Sequence, residues 1–219
     1  MGRNLEKDAI EMAAKNQRIL ENGFRVFAEN TIEKVTMNDV AKAAGIAVSS
    51  LYRYYSTKPR LVMGISTWAW GAYVKENARQ EAEESAPDRT AADMFDFYLE
   101  TFLDLYRNHK DLLRFNQSFN AYLQSEYIPE EEKKPYMDMI RALEARFGRI
   151  YIKALEDGTL RTDISKKKMF SATLHLMMAA VTRYAVGLAY TEGTDAEAEL
   201  KLQKDMLLRA FAAKQAPES

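Results

Sequence analysis

A short stretch near residue 50 combines small polar, cationic and phenolic side chains at helical spacing. On a helical wheel at about 100° per residue, Leu51 and Tyr55 fall on one side, where they would face a core. The opposite side carries the small polar and cationic residues Ser49, Ser50 and Arg53. Tyr52 and Tyr54 flank that polar strip, one on each edge. Small residues let a helix approach a DNA groove, Arg can hydrogen-bond guanine, and phenols can hydrogen-bond phosphates. The pattern therefore predicts a helix that reads DNA.

Two predicted helices place this strip. The first begins at Thr36, a residue type that caps helix N-termini, with the acidic Asp39 three positions on. It ends at Gly45, which can adopt a backbone turn that other residues resist. The second begins near Val48. Two short helices joined by such a turn indicate a helix-turn-helix, whose second helix enters the major groove. Lys58 follows at the start of the next predicted helix, where backbone N–H groups also attract phosphate.

These residues resemble the tetracycline-repressor (TetR) family of bacterial regulators over the first quarter of the chain. The resemblance rests on a spaced set of apolar, aromatic and polar positions: Ile19, Leu20, Phe27, Thr36, Val40, Ala41, Ala44, Gly45, Ile46, Leu51, Tyr52, Arg53, Tyr54, Tyr55, Lys58 and Leu61. It implies that three side chains touch phosphates, namely Tyr52, Tyr54 and Lys58. It also implies that a second set lies at or near the DNA: Thr36, Val48, Ser49, Ser50 and Arg53.

The chain departs from the family's pattern at three positions. The family usually has Gly where Thr31 stands, Ser or Thr where Ala47 stands, and an acidic residue where Pro59 stands. Ala47 has the largest expected consequence, because alanine cannot accept a hydrogen bond from the first turn of the reading helix. We therefore predict that this helix lacks a side-chain N-cap.

Helical periodicity dominates the whole chain, and sustained alternation of the kind that marks strands is absent. Beyond the first three helices, the pattern predicts helices at about 58–84, 90–107, 110–126, 135–156, 166–191 and 195–214. We therefore predict an all-α fold with two domains. Residues 1–57 would form a three-helix helix-turn-helix DNA-binding domain, and residues 58–219 a helical ligand-binding and dimerisation domain.

Aromatic, methionine and polar residues on the later helices suggest an apolar pocket with a few polar contacts. The candidate ligand-binding residues are Phe102, Phe115, Asn116, Phe119, Tyr122, His175 and Met178. A plainer interpretation stays open for each of them. An aromatic or Met at helical spacing more often packs in a core, and a buried polar group can be satisfied internally.

No residue pattern indicates an active site or a metal site. Cysteine is absent, and the two histidines, His109 and His175, do not have metal-ligand spacing. We therefore expect no catalytic residue, no metal and no cofactor.

The charge is unevenly distributed along the chain. Residues 1–60 carry ten Lys/Arg against seven Asp/Glu, whereas the chain as a whole has a net charge of −1. The first 60 residues are therefore mildly basic and the remainder is acidic. Because no signal peptide or long apolar run is evident, we expect a cytoplasmic protein without membrane contact.

The last two predicted helices carry broad apolar stripes that could serve a core and a partner. The stripes comprise Leu174, Met177, Val181, Tyr184, Leu188, Leu200, Leu202, Met206, Leu207, Ala210 and Phe211. In the resembled family these two helices form a four-helix dimer interface. The resemblance therefore implies a homodimer on a palindromic double-stranded DNA operator, most often a repressor, released by a small-molecule inducer. The alternative is an architectural or partner-controlled DNA-binding protein without such a ligand. An enzyme has the least support.

Overall fold

The computed structural model describes residues 5–84, 89–189 and 191–213. These ranges contain nine α-helices and a single bridge between Leu160 and Ala212. The helices are α1 (Leu5–Glu29), α2 (Met37–Ala43), α3 (Val48–Tyr54), α4 (Lys58–Glu84), α5 (Ala91–Asn108), α6 (Lys110–Ser125), α7 (Glu130–Asp157), α8 (Lys166–Ala185) and α9 (Ala196–Phe211). The predicted all-α fold, with a helix-turn-helix followed by longer helices, is confirmed. Within the described part of the chain, no helix has the length and apolar character that a membrane crossing requires.

The end of α8 differs from the prediction. α8 stops at Ala185 rather than near residue 191, because Gly187 adopts a left-handed φ of 76°. The N–H of Gly187 donates to the Tyr184 carbonyl and that of Leu188 to the Arg183 carbonyl, each at 3.1 Å. These two bonds form a Schellman cap, which satisfies the last carbonyls of the helix and turns the chain away.

The start of α7 also differs. The helix begins at Glu130 rather than at residue 135, and Pro135 lies inside it. Three carboxylates occupy the first turn, where the helix dipole stabilises negative charge. Glu130, Glu131 and Glu132, which precede the predicted start at residue 135, therefore support the first turn of the helix.

The chain packs as two compact units. The first comprises Met1–Val74 and Arg114–Met137, and the second comprises Lys75–Leu113 and Asp138–Ser219. The helix-turn-helix belongs to the first unit. The predicted domain boundary between residues 57 and 58 separates predicted functions and was not placed from packing. It stays a prediction.

Aromatic rings from α1 and α6 form the core of the first unit. The Phe24 and Phe27 rings lie 5.5 and 6.5 Å from the ring of Phe115, which stacks on Phe119 at 5.7 Å. Phe27, Phe115 and Phe119 are buried. Because each buried ring removes a large apolar area from water, this cluster stabilises the unit.

Two glycines let helices of the first unit approach closely. A Cβ added to Gly23 would lie 2.6 Å from Cδ1 of Ile65, and one added to Gly64 would lie 2.7 Å from Cε1 of Tyr55. The first contact brings α1 against α4. The second seats the Tyr55 ring, which follows α3, against α4. Both contacts therefore help to fix the position of the helix-turn-helix.

The second unit is built on contacts among α5, α8 and α9. The ring of Phe147, on α7, lies 6.0 Å from Phe95, 5.5 Å from Tyr98 and 5.6 Å from Phe170. Lys204 adds a charged link between α9 and α5, since its Nζ lies 2.8 Å from a Glu100 oxygen. Burial and packing of these side chains hold the unit together.

Candidate DNA-binding surface

Helix α3 buries one side and leaves the other exposed. Leu51 is its only buried residue. Ser49, Tyr52 and Arg53 are exposed, and Ser50 is half-buried. The guanidinium of Arg53 donates to Ser50 Oγ at 3.1 Å. A helix anchored through Leu51 therefore presents the small polar and cationic strip that the sequence predicted.

The two tyrosines at the end of this helix are oriented toward α1. Tyr54 is half-buried, and its hydroxyl lies 3.4 Å from the Met12 carbonyl oxygen. The Tyr55 hydroxyl donates to Asn16 Oδ1 at 3.0 Å, and burial raises the pKa of Tyr55. Tyr55 therefore lies on the core side, as the helical wheel predicted. Tyr52 is exposed over about half of its surface, at 49%. Of the two tyrosines that flank the polar strip, Tyr52 and Tyr54, it is therefore the one more accessible to a phosphate.

Thr36 has a structural role in addition to its predicted place near DNA. Its hydroxyl and backbone N–H donate to Asp39 Oδ2 at 2.6 and 2.8 Å, and the Asp39 N–H donates to Thr36 Oγ1 at 3.2 Å. This capping box begins α2. The hydrogen bonds from Thr36 lower the pKa of Asp39. The N-terminal cap that the sequence predicted is confirmed.

The start of α3 differs from that of α2. Ala47 occupies the N-cap position with extended backbone and makes no side-chain hydrogen bond to the helix. Only its carbonyl serves the first turn, accepting from the N–H groups of Ser50 and Leu51 at 2.9 and 3.2 Å. The predicted absence of a side-chain cap on this helix is confirmed.

Lys58, a predicted DNA contact, lies beside Tyr122, a predicted ligand contact. Its Nζ lies 5.8 Å from the centre of the Tyr122 ring and 3.4 Å from the Glu33 carbonyl oxygen. Partial burial lowers the pKa of Lys58, although Glu33 and Glu126 act in the opposite direction. Burial also raises the pKa of Tyr122 to about 12, with the same two carboxylates adding to the effect. Tyr122 therefore neighbours a candidate phosphate contact.

The remaining ligand candidates fall in different packing environments. Phe115, Phe119 and the buried Asn116 belong to the first unit, where the two rings form part of the core. Phe102, Met178 and His175 belong to the second unit. Phe102 is buried and Met178 is half-buried. His175 is exposed, and its Nδ1 lies 3.3 Å from Ser171 Oγ. The seven residues do not share one environment, and their role in ligand binding stays a prediction.

Four buried polar side chains were missed by the sequence analysis. Ser66 and Trp70 lie four residues apart on α4, and Thr173 and Thr182 lie on α8. Within the described residues, Ser66 Oγ, Trp70 Nε1 and both threonine hydroxyls are buried and have no hydrogen-bond partner. A buried polar atom without a partner is costly, so such atoms are candidates to contact a bound molecule. A Ser and a Trp at i, i+4 spacing within the apolar stretch 61–71 of α4 was the signal that could have identified the first pair.

Several large apolar side chains on α8, just after it and on α9 remain exposed in the single chain. These residues are Leu176, Leu188, Leu202 and Met206, with exposed fractions of 51–61%. Met177, Val181, Leu200 and Leu207, by contrast, are buried. The predicted apolar stripes therefore divide between the core and the surface of the second unit.

Comparison with known proteins finds a family match in the N-terminal part of the chain. Residues 19–63 match the family of bacterial regulatory proteins described as the tetR family. An HTH-type transcriptional regulator of Staphylococcus aureus is 40% identical over 57 residues, which is 26% of this chain and 29% of that protein's length. The match to it therefore spans less than a third of that relative. An uncharacterized HTH-type transcriptional regulator of Bacillus subtilis, YvdT, is 23% identical over 192 residues, covering 84% of this chain and 90% of that protein.

The fold extends the similarity beyond this region. The transcriptional regulator FadR of Bacillus subtilis, in a structure with stearoyl-CoA, matches with a TM-score of 0.69 at 16% sequence identity. The match covers 88% of this chain and 97% of FadR. At this identity the likeness shows a shared fold, and it covers the later helices as well as the helix-turn-helix.

Proposed function

We propose that this chain, whose residues 19–63 match the tetR family of bacterial regulatory proteins, binds a palindromic operator as a homodimer and acts as a repressor released by a small molecule. The observation that carries the proposal is the geometry of α3. Leu51 anchors the helix, and Ser49, Tyr52 and Arg53 are exposed on it. An arginine on a helix that fits the major groove can bond two atoms of guanine, whereas a phenol suits phosphate.

The proposed dimer uses the exposed apolar residues of α8 and α9. One recognition helix reads few base pairs, so a two-fold pair that reads two half-sites provides the specificity that one helix lacks. Leu176 on α8 and Leu202 and Met206 on α9 expose about 60% of their surface each. Burying such side chains against a second copy would contribute about 25 cal/mol for each Å² of apolar surface removed from water.

The proposed effector contacts buried polar atoms that the chain itself leaves without partners. Within the described ranges, Ser66 Oγ and Trp70 Nε1 on α4 lack hydrogen bonds. A small molecule with an apolar body and a few polar groups matches such an environment. The binding of stearoyl-CoA by the similarly folded FadR is consistent with a small-molecule effector. Release from DNA requires that this molecule binds the DNA-free form more tightly than the DNA-bound form.

The first experiment selects the operator from random DNA with the full-length protein, followed by titration of the selected duplex. We expect a palindrome, and sedimentation should show a dimer at micromolar concentration. Random unrelated sequences after selection would contradict the DNA-reading role, and a monomer would contradict the dimer. The matched variant Met206→Glu places a charge on the proposed interface, so it should weaken dimerisation and operator binding together.

A further inference from the structure

An open groove lies within the first unit, beside the end of the recognition helix. It has a volume of about 580 Å³ and is bordered by residues of α3, α4 and the first turns of α7. Tyr54, Tyr55 and Trp68 contribute aromatic walls, and Arg60, Glu131 and Glu132 contribute charge. The volume lies in the range of small-molecule sites. None of the residues predicted as ligand-binding lines this groove.

The aromatic walls are held in place from behind. Tyr55 packs against Gly64, where no side chain separates it from α4, and its hydroxyl is bonded to Asn16. Trp68 is half-buried, and its ring meets that of Phe24 edge to face at 6.1 Å. A wall fixed in this way loses little conformational entropy when a ligand binds. The groove is therefore preorganised for a flat apolar body.

The charged groups of the groove leave one carboxylate oxygen without a donor. Arg60 Nε donates to Glu132 Oε1 at 2.5 Å, which engages that oxygen. The second oxygen, Oε2, is shielded from solvent and has no hydrogen-bond partner in the ranges that the structure describes. An ionised carboxylate can accept several hydrogen bonds, and an unmet buried acceptor is costly. A ligand donor that meets Oε2 when the carboxylate turns toward the groove would therefore be stabilised there.

The sign of the charge selects the kind of ligand. Two carboxylates, Glu131 and Glu132, face the groove against the single cation of Arg60, and Glu131 is exposed. An anion such as a phosphate or a fatty acid would be repelled by this excess of negative charge. Aromatic faces attract cations. Aromatic walls, excess negative charge and an unmet acceptor together favour an organic cation over an inorganic one.

We infer that this groove binds a small organic cation, in which an ammonium group donates to Glu132 Oε2 and a flat apolar body packs against Tyr55 and Trp68. The site is separate from the effector contacts proposed above, so it can be tested independently of them. Because Tyr54 belongs to α3, an occupied groove would also contact the recognition helix directly.

Calorimetric titration of the full-length protein with three probes of one shape tests this inference. The probes are 2-(2-naphthyl)ethylammonium, the uncharged 2-(2-naphthyl)ethanol and the anionic 2-naphthylacetate. We expect the ammonium probe to bind at least ten-fold more tightly than the alcohol, because a charge-assisted hydrogen bond exceeds a neutral one. We expect the anion to bind most weakly. Equal binding of ammonium and alcohol, tighter binding of the anion, or no binding of the ammonium would overturn the inference.

Variants locate the binding within the protein. Glu132→Gln should weaken ammonium binding about ten-fold and Glu131→Gln about three-fold, since the first loses a direct partner and the second a nearby exposed charge. Glu130→Gln is the matched control, because Glu130 lies in the same turn but pairs with Lys133 at 2.9 Å and does not line the groove. Unchanged affinity in both Glu131→Gln and Glu132→Gln would overturn the site. An equal loss in Glu130→Gln would do the same. If loss of the Arg60 pair unfolds Glu132→Gln, Glu131→Gln and Trp68→Leu carry the test, and both should lower the affinity.

Discussion

Helices α2 and α3 have the same length, seven residues, and contact each other, yet they are held by different means. α2 begins with the Thr36–Asp39 capping box and ends at Ala43, and the turn that follows it contains Gly45, whose φ is 65°. α3 begins at Ala47 without a side-chain cap and has a single buried residue, Leu51. A side-chain capping box defines the start of α2, which also buries Met37, Val40 and Ala41, whereas α3 has no such cap and is anchored by Leu51. The start of α2 is thus specified locally, whereas the position of α3, the candidate recognition helix, depends on the rest of its unit.

Removing the packing anchor of α3 should have the largest effect. Leu51→Ala should lower the free energy of unfolding by about 2–5 kcal/mol, because it leaves a cavity at a fully buried position. Urea denaturation of the full chain measures this change. Tyr52→Ala, on the exposed side of the same helix, should change stability by less than about 0.5 kcal/mol. Similar losses in the two variants would contradict the division of α3 into a packed and a free side.

The exposed side of α3 should decide sequence choice. Arg53→Ala should cost about 1–3 kcal/mol of binding free energy per half-site and relax the preference at one base pair. Arg53→Lys keeps the charge but loses the planar pair of donors, so it should relax that preference as well. Titration of the selected operator and of single-base variants compares the two. A uniform loss on every sequence would make Arg53 a phosphate contact instead.

The residue that opens α4 should supply affinity without sequence choice. Lys58→Ala should weaken binding to all sequences alike and flatten the salt dependence of log affinity by about one unit per site. Titrations at several salt concentrations measure the slope. Lys153→Ala, which removes an equal charge from the second unit, should leave the slope unchanged. If Lys58→Ala also leaves it unchanged, then Lys58 serves Tyr122 and Glu33 rather than DNA.

Adding a side-chain cap to α3 and removing the one on α2 should change the stability of the protein in opposite directions. Ala47→Ser should add about 1 kcal/mol to the free energy of unfolding, and Thr36→Ala should remove a similar amount. Hydrogen exchange at the amides of Ser49 and Ser50 should slow in Ala47→Ser, because the new hydroxyl accepts from the first turn. Amides that are already protected in the unaltered chain, together with no change in stability, would show that another group satisfies the start of α3.

The smallest expected effect is a difference in acid sensitivity. Hydrogen bonds from the Thr36 side chain and backbone hold the pKa of Asp39 below its ordinary range. A carboxyl with a lowered pKa in the folded state stabilises the protein above its unfolded pKa, and this contribution is lost as the pH falls through the folded value. Between about pH 5 and pH 3, Asp39→Asn should therefore lose less stability than the unaltered chain. The gain from Ala47→Ser, which titrates no group, should be constant over the same range. A constant difference between Asp39→Asn and the unaltered chain would contradict the capping role of the carboxylate.

The comparison of α2 and α3 also shows which features could be predicted from the sequence. The cap at Thr36, the turn at Gly45 and the missing cap at Ala47 were all predicted, since each depends on residues within four positions of one another. The end of α8 was placed too late, because the apolar period continues past Gly187 although the backbone does not. A periodic pattern shows which face of a helix is apolar, but it does not show where the helix stops.

The sequence by itself determined the all-α fold, the helix-turn-helix and the polar strip of α3, because helical periodicity and capping chemistry act over a few residues. Tertiary structure alone decided which distant side chains meet. Arg60 pairs with Glu132 across 72 positions, and Lys58 lies over the ring of Tyr122. It also decided that Ser66 and Trp70 are buried without partners in the described part of the chain. Such pairings depend on how whole helices pack, and helix packing is set by the combined shape of many side chains rather than by any local pattern.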